Sequence, residues 1–276
     1  MTEHLGPDPT VANPEERSTL AITPAAFSLA GRHVLVTGGG RGLGQGIALS
    51  AAAAGATVTV VARSQDQLGE TVALAMEQGA GACIAQSADL SDIADIPGLV
   101  AAIADRLPID GVVHAAAAQL RIDAVDVTPD DWRFIQTLNL DAPFFLSTAI
   151  ARHQLATGRP GSHVFVGSLN STIALARIAP YVVSKTALVG VARAMSTEWS
   201  ASGIRANVIG PGFFETAQTE DLLSHPKDRA RILNRIPMGT LGTPADLGGV
   251  SVFLLSDASR YLTGQLINVD GGWLAS

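Results

Sequence analysis

What most limits the fold of this chain is a sustained alternation, from residue 33 onward, of short β-branched runs with Ala/Leu-rich stretches at helical spacing. Strand patterns fall at 33–37, 57–62, 82–86, 111–115, 163–167, 205–209 and 265–269. Helix patterns lie between them at 43–54, 65–78, 92–106, 129–156, 180–202 and 244–255. Strand, helix, strand repeated this often predicts an α/β fold, a doubly wound parallel sheet of about seven strands with helices on both faces. The apolar run from Val58 to Ala62 suits a strand buried on both sides. Start signals stand at Ser91 before Asp92, at Thr128-Pro129 before Asp130 and at Thr243-Pro244 before Asp246.

No repeat or linker divides the chain after residue 25, so 25–276 reads as a single domain. Residues 1–24 are polar and aperiodic, with three prolines before residue 15, and read as a disordered arm. The longest irregular stretch is 210–242, after the sixth strand. Ligands of open α/β sheets bind beyond the carboxyl ends of the strands, so this stretch is placed to act as a lid.

Charge and composition remove whole classes of partner. With 18 Lys+Arg against 25 Asp+Glu, the net charge is −7, a poor match to a phosphate backbone, so no nucleic acid is expected. The single cysteine, Cys83, excludes a disulfide framework or a multi-cysteine metal site and suits a reducing cytoplasm. Nothing resembles HExxH or a carboxylate cluster, so no metal is expected. The start, Met1 to Pro9, lacks the pattern of a secretory signal. The Ala/Val-rich stretch 47–62 is too short to span a membrane and is interrupted by Gly55.

The chemistry begins at Thr37-Gly38-Gly39-Gly40-Arg41-Gly42-Leu43-Gly44, which follows the first strand and opens the first helix. Glycines there allow a tight turn and let a pyrophosphate approach the helix N-terminus, so the context points to a dinucleotide site. The spacing TGxxxGxG, with Tyr181-Val182-Val183-Ser184-Lys185 downstream, resembles the short-chain dehydrogenase/reductase family over residues from about 27 to the C-terminus. That resemblance implies a Rossmann-like domain, a nicotinamide cofactor and assembly as a homotetramer or homodimer.

Cofactor choice is a question of charge. An acid ending the second strand would bind the ribose diol of NAD(H) and repel a 2′-phosphate. This strand ends Ala62-Arg63-Ser64 instead, and Arg63, with Arg41 of the glycine loop, can pair with that phosphate. NADP(H) is therefore favoured over NAD(H). Asp66 reads as a first-turn helix residue. By resemblance, Asp89-Leu90 contacts the adenine, and the segment holding Ala115 and Ala116 lines the cofactor. That segment, His114-Ala115-Ala116-Ala117, departs from the family's Asn-Asn-Ala-Gly, and His114 reads as a core histidine. Pro211, Gly212 and Thr216 match the family's PGxxxT segment, which holds the nicotinamide carboxamide, and Asn207 precedes it. Phe213 or Phe214 lines the pocket or joins the core.

Tyr181 and Lys185 are four apart on a predicted helix and share a face. A phenol titrates too high for acid–base work near neutrality, and a nearby ammonium and the oxidised nicotinamide would lower it. Ser168 stands thirteen residues before Tyr181, the family's spacing for its serine, where it would hydrogen-bond the substrate oxygen. Asn139 matches the family's fourth catalytic position, which holds a water that passes protons to the lysine. The expected activity is hydride transfer between NADP(H) and a small-molecule carbonyl or secondary alcohol. Arg235-Ile236-Pro237-Met238-Gly239 and the ending from Val269 to Ala275 resemble gluconate 5-dehydrogenases and related sugar-acid or polyol enzymes. The alternative is a 3-oxoacyl-(acyl-carrier-protein) reductase, although Ser202 stands where such reductases often place the second basic residue beside Arg159. A non-catalytic cofactor-binding regulator is a further alternative.

Overall fold

A computed structural model of the chain describes residues 22–216, 219 and 223–275. Apart from its last three residues, the arm expected over 1–24 lies outside them, and Pro24 already opens a 3-10 turn, Pro24–Phe27. Seven parallel strands form one sheet in the order β3-β2-β1-β4-β5-β6-β7. They are β1 His33–Thr37, β2 Thr57–Ala62, β3 Cys83–Ser87, β4 Gly111–His114, β5 Gly161–Val166, β6 Ile204–Pro211 and β7 Leu266–Val269. The order reverses between β1 and β4, which pair in register through Leu35 and Val112. A crevice therefore opens at their carboxyl ends, where such sheets bind ligands.

The helices are α1 Gly42–Ala53, α2 Gln65–Glu77, α3 Ile96–Ala104, α4 Pro129–Gln136, α5 Ala142–Thr157, α6 Ala179–Trp199, α7 Pro226–Leu233 and α8 Gly248–Leu255. On one face of the sheet, Ile47 and Ala51 of α1 and Leu254 of α8 pack with Val34, Val36, Val58 and Val60. On the other, Val100 of α3 and Leu146 and Ile150 of α5 pack on Leu35, Val61 and Val112. Truncating a fully buried side chain such as Leu35 or Ile150 typically costs about 2–5 kcal/mol. Strand residues buried on both sides, as all five of β1 are, explain the unbroken apolar runs.

Several boundaries differ from expectation for identifiable reasons. The helix expected over 92–106 starts at Ile96 behind a 3-10 turn, Ile93–Asp95, with Pro97 in its first turn. Ser91 is not its cap, because the Asp89 carboxylate takes both the Ser91 N–H (3.0 Å) and hydroxyl (2.7 Å). The helix expected over 129–156 is split by a π turn, Thr137–Asp141. Pro143 stands four residues after Asn139 and has no N–H, so the regular ladder cannot pass this point. Thr128 caps α4 as expected: its hydroxyl accepts from Asp131 N at 3.1 Å. Thr243 likewise donates its N–H to Asp246 Oδ2 at 2.7 Å. Within 210–242, expected to be irregular, lies α7, whose Ile232 packs with Leu169, Ile236 and Trp273. Two flanking expectations also shift. β5 begins two residues early because Gly161 pairs with Ile204, and β4 stops at His114 because the Ala115 N–H turns to Thr37 Oγ1.

Candidate active site

The glycine loop is shaped by close packing. Gly38 has φ +66°, and a Cβ there would come within 2.8 Å of Ala116 Cα. A Cβ on Gly44 would collide with the Gly38 carbonyl, so only glycine lets α1 start this close to β1. Gly42 has φ +58°, and a Cβ there would meet Thr216 Cγ2 at 3.8 Å, an ordinary contact. Arg41 stands at the N-cap of α1 and makes no side-chain cap hydrogen bond, the kind of helix start at which N–H groups can meet an anion. Leu43 is half-buried against the core beneath the loop. Thr37 is buried, and its Oγ1 accepts from Ala115 N (3.1 Å) and Ala116 N (3.2 Å), tying the loop after β4 to β1.

At the end of β2 the Arg63 side chain is 75% exposed, with its guanidinium 4.0 Å from Asp89, an exposed and weak pair. The Asp89 carboxyl lies below its ordinary range, chiefly through its Ser91 bonds. Leu90 is buried with Leu35 and Val61. Asp66 lies in the first turn of α2. Opposite, Pro211 ends β6, and a Cβ on Gly212 would come within 2.7 Å of Asp270 Cα. Thr216 donates its N–H to Thr219 Oγ1 at 3.1 Å. Asn207 is a cross-strand tie to Leu262 O (2.9 Å) and from Gln265 N (3.1 Å). Phe214 joins the core, whereas Phe213 is half-buried against Trp273, centroids 4.8 Å apart.

The other polar constellation comes from β5, the π turn and α6. Lys185 is buried and donates from Nζ to Val166 O at 2.8 Å, with Nζ 5.5 Å from the centre of the Tyr181 ring. Ser168, after β5, sits within hydrogen-bonding range of the half-buried Tyr181 phenol. The Asn139 side chain is held at three points. Its Oδ1 accepts from Ala118 N (2.8 Å), and its Nδ2 donates to Ala118 O (2.8 Å) and Ser184 Oγ (3.2 Å). Beneath them His114 stacks on Phe165 at 4.7 Å, with Nε2 2.7 Å from Ser147 Oγ. Burial holds this imidazole well below its ordinary value, a neutral core group as its sequence context suggested.

The chain's own groups set the starting point from which a bound oxidised nicotinamide would act on the phenol. Burial pushes Tyr181 up from its ordinary value near 10, and only the Ser168 hydrogen bond opposes it. Lys185 is itself pushed down to about 7 by burial, so it is no permanent cation. An unfolded chain keeps the Lys185 proton to much higher pH. Between about pH 7 and 9 it therefore binds more protons than the folded chain, and stability rises with pH. Lys185→Met is expected to remove this rise, worth at most about 1.4 kcal/mol per pH unit, in urea melts across that window. An unchanged slope would show that Lys185 stays charged in the folded protein.

Two features were not singled out from the sequence. Ser184 Oγ links Asn139 to the Tyr181 carbonyl (2.8 Å), and Asn170 donates Nδ2 to Ser168 Oγ (3.2 Å). Pro143 inside a helical pattern was the available signal for the break at Asn139; a lone Ser or Asn in a turn carries none.

A family profile described as "Enoyl-(Acyl carrier protein) reductase" matches residues 38–274. The 2-dehydro-3-deoxy-D-gluconate 5-dehydrogenase of Escherichia coli (strain K12) is 40% identical over 190 residues, 68% of this chain and 75% of that protein. The enzyme of the same name from Bacillus subtilis (strain 168) is 37% identical over 91% of this chain and 97% of its own length. A gluconate 5-dehydrogenase from Burkholderia cenocepacia J2315, crystallised with NADP and tartrate, superposes with a TM-score of 0.86 at 32% identity, covering 91% of this chain and 98% of its own. With this sheet order and these motifs, the chain belongs to the short-chain dehydrogenase/reductase family.

Proposed function

We propose that the protein is an NADP(H)-dependent oxidoreductase acting on the carbonyl or secondary alcohol of a small sugar acid or polyol, as a gluconate 5-dehydrogenase does. The observation that carries the reading is the convergence of Tyr181, Ser168 and Lys185 at the end of β5, beside the cradle formed by Gly38, Gly42 and Thr216. That cradle fits a dinucleotide. The bare N-terminus of α1 and Leu43-Gly44 receive the pyrophosphate. Arg41 and Arg63 meet a 2′-phosphate, Asp89 and the Leu90 backbone the adenine, Ala115 and Ala116 the adjoining ribose side. Pro211, Gly212 and Thr216 hold the carboxamide. When bound, NADP(H) supplies or accepts the hydride, and its oxidised ring adds positive charge beside the phenol.

The chain's own residues do the rest. Ser168 hydrogen-bonds the substrate oxygen, and Tyr181 gives that oxygen a proton in reduction and removes it in oxidation. Lys185, whose ammonium burial pushes down to about 7, takes up or releases the proton behind Tyr181. The Asn139 side chain is tied to Ala118 and Ser184, and its main-chain carbonyl, which has no N–H donor at Pro143, holds a relay water. Residues 25–276 form the catalytic domain behind an N-terminal arm. Arg159 is paired with Asp110 at 2.7 Å rather than free for an acidic carrier protein, which favours a small substrate. NADPH absorbance with keto sugar acids, polyols and 3-oxoacyl thioesters tests the reading. Turnover of the thioesters alone would replace it with the carrier-linked alternative.

The protein acts in the cytoplasm as a homo-oligomer, a homotetramer or homodimer. Among the described residues no helix is long and apolar enough to cross a membrane. Trp132 and Phe134 of α4, Phe144 and Phe145 of α5 and Val183 of α6 are all exposed, an apolar surface on the helices that such assemblies bury. Sedimentation at micromolar concentration is expected to show the assembly, and Phe145→Asp to weaken it. A stable wild-type monomer would contradict this.

A further inference from the structure

The turn after β5 holds a buried amide that the proposed mechanism does not use. Asn170 is 6% exposed, its Nδ2 donates to Ser168 Oγ at 3.2 Å, and its Oδ1 is buried with no hydrogen-bond partner among the described residues. The position of Asn170 is fixed from α6 at two points. Thr186 Oγ1 donates to Asn170 O at 3.1 Å, and the neighbouring Ser171 Oγ donates to Lys185 O at 2.8 Å. We propose that Asn170 is a positioning residue that, by donating to Ser168 Oγ, keeps the single Ser168 proton directed at the substrate oxygen.

The argument is one of proton accounting. A serine hydroxyl has one proton to give and two lone pairs to receive with. With one lone pair filled by Asn170, the proton is left for a partner in front of Ser168, which is where the substrate oxygen sits. The opposite amide orientation would consume the Ser168 proton on Oδ1 and strand the two Nδ2 hydrogens in the interior. The observed orientation leaves only a carbonyl oxygen unpaired. An unpaired buried acceptor is still destabilising, so stability alone does not account for an amide here. Local conflict of this kind is expected where function selects the residue.

The inference rests on the hydride-transfer reading for its kinetic arm only. Asn170→Ala is expected to lower kcat by about tenfold while leaving Tm unchanged or higher, because the unpaired oxygen leaves with the amide. Asn170→Asp, once ionised, accepts the Ser168 proton. Its kcat is expected to fall as pH rises through the new carboxyl's titration and to recover on the acid side, a limb the wild type lacks. The second arm needs no substrate. The chain has two tyrosines, so in a Tyr261→Phe background the ultraviolet titration reports Tyr181 alone. That titration should move to higher pH in both variants, because Ser168 no longer donates well to the phenolate. Wild-type kcat in Asn170→Ala, a fall in Tm that parallels the activity loss, or an unmoved tyrosine titration would each overturn the proposal. If the wild type turns over none of the substrates, the hydride-transfer reading fails and the tyrosine titration alone decides the role of Asn170.

Discussion

Replacing Tyr181 by Phe is expected to reduce kcat by at least about 100-fold, the loss typical of removing a general acid, with NADP(H) affinity nearly unchanged. The side chain loses one oxygen and keeps its ring, so the packing of α6 survives. What disappears is the phenol within reach of Ser168, the group placed to exchange a proton with the substrate oxygen. Neither neighbour can replace it. Lys185 Nζ is anchored to Val166 O at 2.8 Å, placed to exchange protons with Tyr181 rather than to stand in for it at the substrate oxygen, and the neutral His114 is buried against Phe165. Cofactor fluorescence titrations and steady-state rates on the same preparation separate binding from turnover. Full activity in a folded variant would remove Tyr181 from the mechanism.

Cofactor preference should invert when the end of β2 is rewritten. Arg63 is three-quarters exposed, and its distance of 4.0 Å from Asp89 leaves it free to turn to a phosphate. A charge-assisted contact of this kind is worth about 1.5–3 kcal/mol, so NADP(H) should bind at least about tenfold more tightly than NAD(H). Ala62→Asp combined with Arg63→Ser supplies an acceptor for the ribose hydroxyls and repels the 2′-phosphate, which reverses the order. Added salt should weaken the wild-type preference, because the arginine is solvent-exposed. A wild type that already prefers NAD(H) would show that Arg63 is only a solvated loop residue.

The legible part of this protein was the part governed by periodicity and by glycine. β1 and β2 coincide with their sequence patterns because strands buried on both sides leave unbroken β-branched runs. Gly38 and Gly44 were readable because no other residue fits a left-handed turn against Ala116 or a helix start on the Gly38 carbonyl. Electrostatics were less legible. Tyr181 and Lys185 share a helix face as their spacing requires, yet burial moves both away from the charges that spacing suggests. The break at Asn139 was hidden by reading apolar period through Pro143. Helix α7 was hidden because half of its sequence, Pro226–Leu233, is charged and it contributes only Ile232 to the core. Asn170 depends on which amide atom meets Ser168, which only three-dimensional placement reveals.

Hydride transfer itself is tested most directly by following the label from NADPH with both C4 hydrogens replaced by deuterium into a keto sugar acid. Mass spectrometry of the alcohol formed should find one deuterium on the new carbinol carbon with the wild type, and next to none at equal times with Tyr181→Phe. Cofactor that binds while no deuterium reaches sugar acids, polyols or 3-oxoacyl thioesters would contradict the account.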